Sequence, residues 1–124
     1  MPIKKSIETV SDFIPLLRLG AAQAQSARTL FERVNPSVAF DTFKRDIRFL
    51  ASEARKLGHR IIGDDNGYYI ALNNVEWGRY KERRFAAIKD ELVGFASAER
   101  LSVQDLIKIV YAVNVNDNNY NLNL

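Results

Sequence analysis

The chain has 124 residues, of which 47% are hydrophobic, a size that suits one domain and argues against a two-lobed enzyme with an interdomain cleft. It contains no cysteine, so disulfides, thiolate zinc sites, iron-sulfur clusters and cysteine nucleophiles are excluded. No apolar run approaches the roughly 18 residues of a membrane span, and residues 1–10 lack the apolar stretch of a secretion signal. We therefore expect a cytoplasmic protein without a membrane partner.

The net charge of +3 is unevenly distributed along the chain. Residues 28–60 contain eight basic and four acidic side chains, a local excess of +4, while the remainder sums to −1. A second basic cluster consists of Arg79, Lys81, Arg83 and Arg84. This distribution predicts one positive face on the folded protein.

Apolar periodicity predicts two short helices at the start of the chain. The first spans 11–19, with Ser11 as its N-cap and Gly20 after its end. The second spans 26–34 and has Ser26 as its N-cap.

A longer third helix is predicted over 39–57, after the break that Asn35-Pro36-Ser37 imposes, because proline disfavours helical conformation at the preceding residue. Two β-rich runs, 60–63 and 68–72, then flank Asn66-Gly67. This dipeptide is typical of a type I′ hairpin turn, which has positive φ at both central residues.

Two further helices are predicted after the hairpin. Asn73 with Glu76 has the spacing of a capping box and opens a fourth helix that runs to about residue 98. Ser102 with Asp105 repeats the pattern before a fifth helix. The apolar seam of the fourth helix consists of Trp77, Phe85, Ile88, Leu92 and Phe95. The tail over 114–124 contains six asparagines, and both a strand and a disordered segment remain open for it.

The third helix has two contrasting faces when its residues are placed 100° apart. One face carries five basic side chains within an arc of about 120°, and we call it the basic stripe. The basic stripe consists of Lys44, Arg45, Arg48, Arg55 and Lys56. The opposite, apolar face consists of Phe40, Phe43, Ile47, Leu50, Ala54 and Leu57. An apolar face of this width predicts packing on a core, which leaves the basic stripe pointing outward.

An anchored helix with a basic stripe suits the major groove of DNA, where arginine bonds bidentately to guanine and lysine acts as a point charge on phosphate. The side chains predicted to reach base edges and phosphates are Thr42, Lys44, Arg45 and Arg48. Those predicted to contact the DNA backbone farther along are Arg55, Lys56 and Arg60. An ordinary solvated surface is the alternative interpretation of the same stripe.

No motif typical of catalysis, metal binding or phosphate binding occurs, and we expect no enzymatic activity, no metal and no cofactor. The single histidine, His59, follows the glycine that ends the third helix and has no clustered partner in the sequence. The adjacent acids at 64–65 and at 90–91 are expected to point apart as turn and surface residues.

The order helix, helix, tight turn, helix, hairpin resembles the winged helix-turn-helix family of bacterial repressors and of phage and mobile-element regulators. The segments that carry the resemblance are TFKRDIRFL at 42–50, GHRII at 58–62 and GYYI at 67–70. The implied fold class is mainly α with a small β-hairpin. It divides into a winged helix-turn-helix domain over 1–73, a C-terminal helical extension over 74–113 and an Asn-rich tail over 114–124.

The resemblance implies sequence-specific binding of double-stranded DNA by a regulator of transcription or replication, with the third helix in the major groove. Three features depart from the family pattern. Seven residues separate Leu50 from Gly58, about three more than the pattern has, and this longer spacing predicts a third helix that is one turn longer. Asp41 stands where a basic or polar residue is common, and the hairpin tip over 64–66 is acidic and repelled by phosphate. A protein-interaction module that keeps the scaffold without binding DNA is therefore the alternative. For the last two helices, a homodimer through residues 77–110 and packing on their own domain both remain open.

Overall fold

The computed structural model describes residues 7–113 and is mainly helical, with one two-stranded antiparallel hairpin, as predicted. The helices are α1 (Val10–Phe13), α2 (Ala27–Val34), α3 (Phe40–Lys56), α4 (Asn74–Glu99) and α5 (Val103–Ala112), and the strands are β1 (Ile61–Asp64) and β2 (Gly67–Ile70). Short 3-10 turns occupy Ile14–Leu16 and Ala21–Gln23. The predicted Asn-rich tail over 114–124 lies outside the described residues. The chain forms two compact units, one ending at Tyr80 and the other beginning at Lys81.

The first helix begins earlier and is shorter than the periodicity predicts. Its N-cap is Thr9 rather than Ser11: the Thr9 hydroxyl accepts the Asp12 N–H at 3.2 Å, and the Asp12 carboxylate accepts the Thr9 N–H at 3.1 Å. This reciprocal capping box outcompetes the single hydroxyl two residues later. The α-helical geometry ends at Phe13, because Pro15 has no N–H to donate to the preceding turn and sits instead in a 3-10 turn.

The next two helices begin and end close to the predicted positions. Ser26 caps α2, and its Oγ accepts the Thr29 N–H at 3.0 Å. Asn35 ends α2 in the left-handed conformation with φ +50°, one residue before Pro36.

Gly58 ends α3 in a Schellman motif. With φ +95°, its N–H bonds to the Arg55 carbonyl at 2.9 Å, and the next N–H, of His59, bonds to the Ala54 carbonyl at 3.0 Å. His59 therefore contributes to the end of α3 through its backbone.

The hairpin is confirmed, but the predicted turn type is wrong. Ile61 lies opposite Ile70 and Asp64 opposite Gly67, so the central turn residues are 65 and 66, neither of which has positive φ. The Asp64 carboxylate accepts the Asn66 N–H at 2.9 Å and stabilises a turn of ordinary φ, which leaves only Gly67 with a positive φ, at +119°.

The chain between α1 and α2 pairs with the outer edge of β2. Gly20 donates to the Ile70 carbonyl at 2.8 Å, and the Ile70 N–H bonds to the Arg18 carbonyl at 2.9 Å. Gln25 and Tyr68 exchange two backbone hydrogen bonds, at 3.2 and 2.8 Å. These bonds fix the hairpin to the helices that precede α3.

The hairpin has a separate apolar cluster on each face, because successive strand residues point to opposite sides. The larger cluster contains Ile7, Phe13, Leu17, Leu30, Phe43, Ile47, Leu50, Ala51, Ala54 and Ile61. The smaller one contains Ile62, Tyr69 and Tyr80, with Trp77 packed against it. Tyr68 is half-buried on the larger cluster and Tyr69 is buried in the smaller one, so the two tyrosines pack on opposite faces of the hairpin.

The start of α4 is attached to the first unit by Glu76. Asn73 Oδ1 accepts the Glu76 N–H at 3.0 Å, which is one half of the predicted capping box. In place of the other half, the Glu76 carboxylate accepts the Leu72 N–H at 2.9 Å and the Ala21 N–H at 3.0 Å. The two backbone donors lower the pKa of Glu76 below its usual value. Together with Trp77, this attachment extends the first unit past the domain boundary expected at 73.

Candidate nucleic-acid interface

The apolar face of α3 is buried and holds the helix against the larger cluster. Its buried side chains are Phe43, Ile47, Leu50, Ala51 and Ala54. Phe31 of α2 packs edge-to-face on Phe40 and Phe43, with ring centroids 5.3 and 5.4 Å apart. Leu57, which was predicted on this face, is 69% exposed because it lies just after the last residue of the helix.

The N-terminal half of the basic stripe points away from this core. Arg45 and Arg48 are exposed, one turn apart, and form no hydrogen bond or ion pair with any residue between 7 and 113. Lys44 is also exposed, with its Nζ 5.4 Å from the centroid of the Phe40 ring. Thr42, which was predicted to reach the DNA, is half-buried. The two guanidinium groups thus keep their donors available for a ligand.

The C-terminal half of the predicted site has partners within the protein. Arg55 donates from Nε to the Ile61 carbonyl at 2.8 Å and lies 5.6 Å from the Tyr80 ring centroid, so it joins α3 to the hairpin. The Nζ of Lys56 is 3.3 Å from the carboxylate of Glu53.

Arg60, the third predicted backbone contact, is exposed and donates to the side-chain oxygen of Asn74. The structure therefore separates three side chains with few internal contacts (Lys44, Arg45 and Arg48) from three with internal contacts (Arg55, Lys56 and Arg60).

Arg28 adds a cation beside the start of α3 that the helical periodicity does not reveal. Its guanidinium carbon lies 3.9 Å from the centroid of the Phe40 ring, the same ring that Lys44 approaches. Arg28 is exposed on α2, so only the packing of α2 on α3 brings it near the stripe. Positive charge consequently extends beyond the basic stripe at the first turn of α3.

Arg33 contributes to the local positive charge, but its guanidinium group is hydrogen-bonded within the protein. It donates to the Leu16 carbonyl at 2.9 Å and to the side-chain oxygen of Gln25. Gln25 is a buried polar residue, 5% exposed, and its own Nε2 donates to the Leu16 carbonyl at 2.9 Å. Nothing in the periodicity around 21–26 identifies this network, because it joins three separate segments.

Acidic side chains near the interface differ in exposure and in partners. Asp41 is exposed in the first turn of α3, where a carboxylate is favoured by the helix dipole. In the hairpin, Asp64 accepts the Tyr69 hydroxyl at 3.1 Å as well as the turn N–H, while Asp65 is exposed at the tip. The tip therefore still presents one carboxylate to any approaching polyanion.

The part of the chain that the structure describes contains neither a metal site nor a membrane-spanning helix. Within residues 7–113, no group of three or more His, Asp or Glu side chains is arranged to hold a metal ion. In the same range, no helix combines the length and apolar character needed to cross a bilayer. No protein-family model, curated protein or solved structure gives a significant match to this chain.

Proposed function

We propose that this protein binds double-stranded DNA sequence-specifically, as a regulator of transcription or replication without enzymatic activity. In this proposal the unit ending at Tyr80 is a winged helix-turn-helix, with α3 as its recognition helix and the hairpin as its wing. The observation that carries the proposal is the pair of exposed, unpaired arginines, Arg45 and Arg48, on a helix whose opposite face is buried.

The geometry of α3 favours a groove-binding role over that of an ordinary solvated face. Its 17 residues make a rod of about 26 Å, and the major groove, about 12 Å wide, admits a helix of this kind. Five buried side chains fix the rotation of α3, so Arg45 and Arg48 point in one defined direction. Free guanidinium groups held in this way suit bidentate bonds to guanine.

The surrounding cations are expected to contact phosphates with different strengths. Lys44 and Arg28 flank the Phe40 ring at the start of α3 and supply charge next to the groove-facing arginines. Arg55 and Lys56 must share their charge with internal partners, so we assign them weaker contacts. The exposed Asp65 argues against insertion of the hairpin tip into the minor groove.

The direct test measures duplex binding by fluorescence anisotropy at low salt, after selection of bound duplexes from a random pool. The double variant Arg45→Ala/Arg48→Ala is expected to bind the selected site about 30-fold or more weakly, because each guanine contact is worth roughly 1–3 kcal/mol. A matched control, Arg18→Ala/Arg100→Ala, removes the same charge from exposed arginines outside α3 and should lose less than about threefold.

Equal losses in the two double variants would reject α3 as the recognition helix. The absence of any wild-type binding at low salt would reject the DNA proposal and favour the alternative of a protein-interaction module on the same scaffold.

A further inference from the structure

The second unit buries very little of its apolar surface. Between residues 81 and 113, only Ala96 of α4 and Leu106 of α5 are buried, at 3% and 7% exposure. The large apolar side chains that stay exposed are Phe85, Ile88, Val93, Phe95, Ile109, Val110, Tyr111 and Val113. Exposed apolar surface of this extent marks an interaction site.

Most of this surface forms one continuous feature. A groove of about 500 Å³ is lined by Leu92, Phe95, Glu99, Leu101, Leu106, Ile109 and Val110. Phe85 and Ile88 extend the wall of the groove toward the start of the unit, because they share an arc of about 80° on α4 with Leu92 and Phe95. An apolar groove therefore lies beside a row of exposed apolar side chains on α4.

We propose that a second copy of this chain covers this groove, so that α4 and α5 of two copies form a symmetric homodimer interface. A two-fold interface brings the same surface of each copy together, so the exposed apolar row of one copy faces the groove of the other. Trp77, although in the predicted dimer seam, belongs to the first unit and is excluded from the interface.

The exposed area agrees with the size of a stable dimer. Phe85 and Phe95, at 62% and 60% exposure, together offer roughly 250 Å² per copy. The four half-exposed aliphatic side chains at 88, 109, 110 and 113 add roughly 300 Å². Homodimer interfaces are about 65% apolar, so this patch corresponds to roughly 800 Å² per copy, the standard interface size.

The charge of this segment favours a second copy over a strongly charged partner. Residues 92–113 contain two acidic and two basic side chains: Glu99, Arg100, Asp105 and Lys108. The zero net charge removes repulsion between two copies, and it contrasts with the excess of +4 over 28–60. The consequence for DNA, a palindromic target read by two α3 helices, rests on the proposed function.

Sedimentation equilibrium of the full chain between about 1 and 100 µM tests the dimer without DNA. The expected mass is twice the chain mass of 14.1 kDa. Phe95→Glu and Ile109→Glu should each weaken dimerisation about 100-fold or more, because both copies lose a central apolar contact. Phe49→Glu, which changes an exposed phenylalanine of the first unit, is the matched control and should leave the dimer intact.

A milder pair, Phe95→Ala and Ile109→Ala, replaces either glutamate variant whose circular dichroism shows that it has not folded, and it should weaken the dimer at least tenfold. A monomeric wild type at 100 µM, or a dimer unaffected by changes at 95 and 109, would overturn the proposal. Neither result would affect the proposed function, because duplex binding that depends on Arg45 and Arg48 would persist in a monomer.

Discussion

Replacement of Gly67 by alanine tests how closely the hairpin approaches the chain between α1 and α2. A Cβ there would lie 2.4 Å from the carbonyl oxygen of Gln25 and 2.8 Å from the nitrogen of Ser26, both backbone atoms with no freedom to move alone. The φ of +119° adds a strain of about 1 kcal/mol for any other residue. Relief of the overlap moves the chain at Gln25 away from β2 and breaks the two Gln25–Tyr68 hydrogen bonds, each worth about 1 kcal/mol.

We therefore expect Gly67→Ala to lower the free energy of unfolding by roughly 3–4 kcal/mol. Gly58→Ala is the matched control, since Gly58 also has a positive φ but no neighbour within 4 Å of its Cβ position, and it should cost only about 1 kcal/mol. The free energies of unfolding of both variants are measured by urea titration, with the fluorescence of Trp77, the single tryptophan, as the signal. Trp77 lies in the unit that contains the hairpin. Equal losses in the two variants would refute the argument from close backbone contact.

Three other substitutions test separate parts of the structure. Gln25→Ala should cost about 2 kcal/mol in the same urea assay, because it removes the two hydrogen bonds of a buried amide, to the Leu16 carbonyl and from Arg33; a loss below about 0.5 kcal/mol would contradict this. Because the pKa of Glu76 is lowered in the folded state, its carboxylate stabilises the protein above the usual carboxyl pKa of 4.5, and this contribution disappears as the pH falls through the lowered value. The melting temperature of the wild type should thus fall more steeply than that of Glu76→Gln as the pH is lowered below 4.5, and parallel curves would contradict the stabilising role of the Glu76 carboxylate. Arg100 ends α4 with φ +58°, so Arg100→Gly should stabilise α4 by roughly 0.5–1 kcal/mol in thermal circular dichroism, whereas a loss of stability would show that the Arg100 side chain contributes.

Local signals predicted most element boundaries, because caps and breakers act within a few residues of where they stand. Ser26, Asn73 and Ser102 all accept the N–H three residues on, as their spacing indicates. The wrong N-cap and the wrong turn type also have local causes: the capping box at Thr9 competes with Ser11, and the Asp64 carboxylate selects another turn type. The sequence does not show which of two possible N-caps, or which of two possible turn types, is the more stable.

The candidate site was predictable only as far as one helix determines it. Periodicity alone places Arg45 and Arg48 on the exposed face of α3. It cannot reveal that Arg55 is bound to the Ile61 carbonyl or that Arg28 stacks on Phe40, since these contacts join different elements. The strength of the phosphate contact that we assign to each cation therefore follows from how the helices and the hairpin pack together, and not from the sequence periodicity.

The salt dependence of duplex binding tests most directly whether the basic stripe meets a polyanion. With three to five phosphates neutralised by α3 and its neighbours, the slope of log K against log salt should lie between about −3 and −4.5 for the wild type. Arg28→Ala/Lys44→Ala removes two of the cations that we assign to phosphates, and it should reduce the magnitude of that slope by about 2. A slope near zero, or the same slope in the wild type and the double variant, would contradict the proposal that the basic stripe binds DNA.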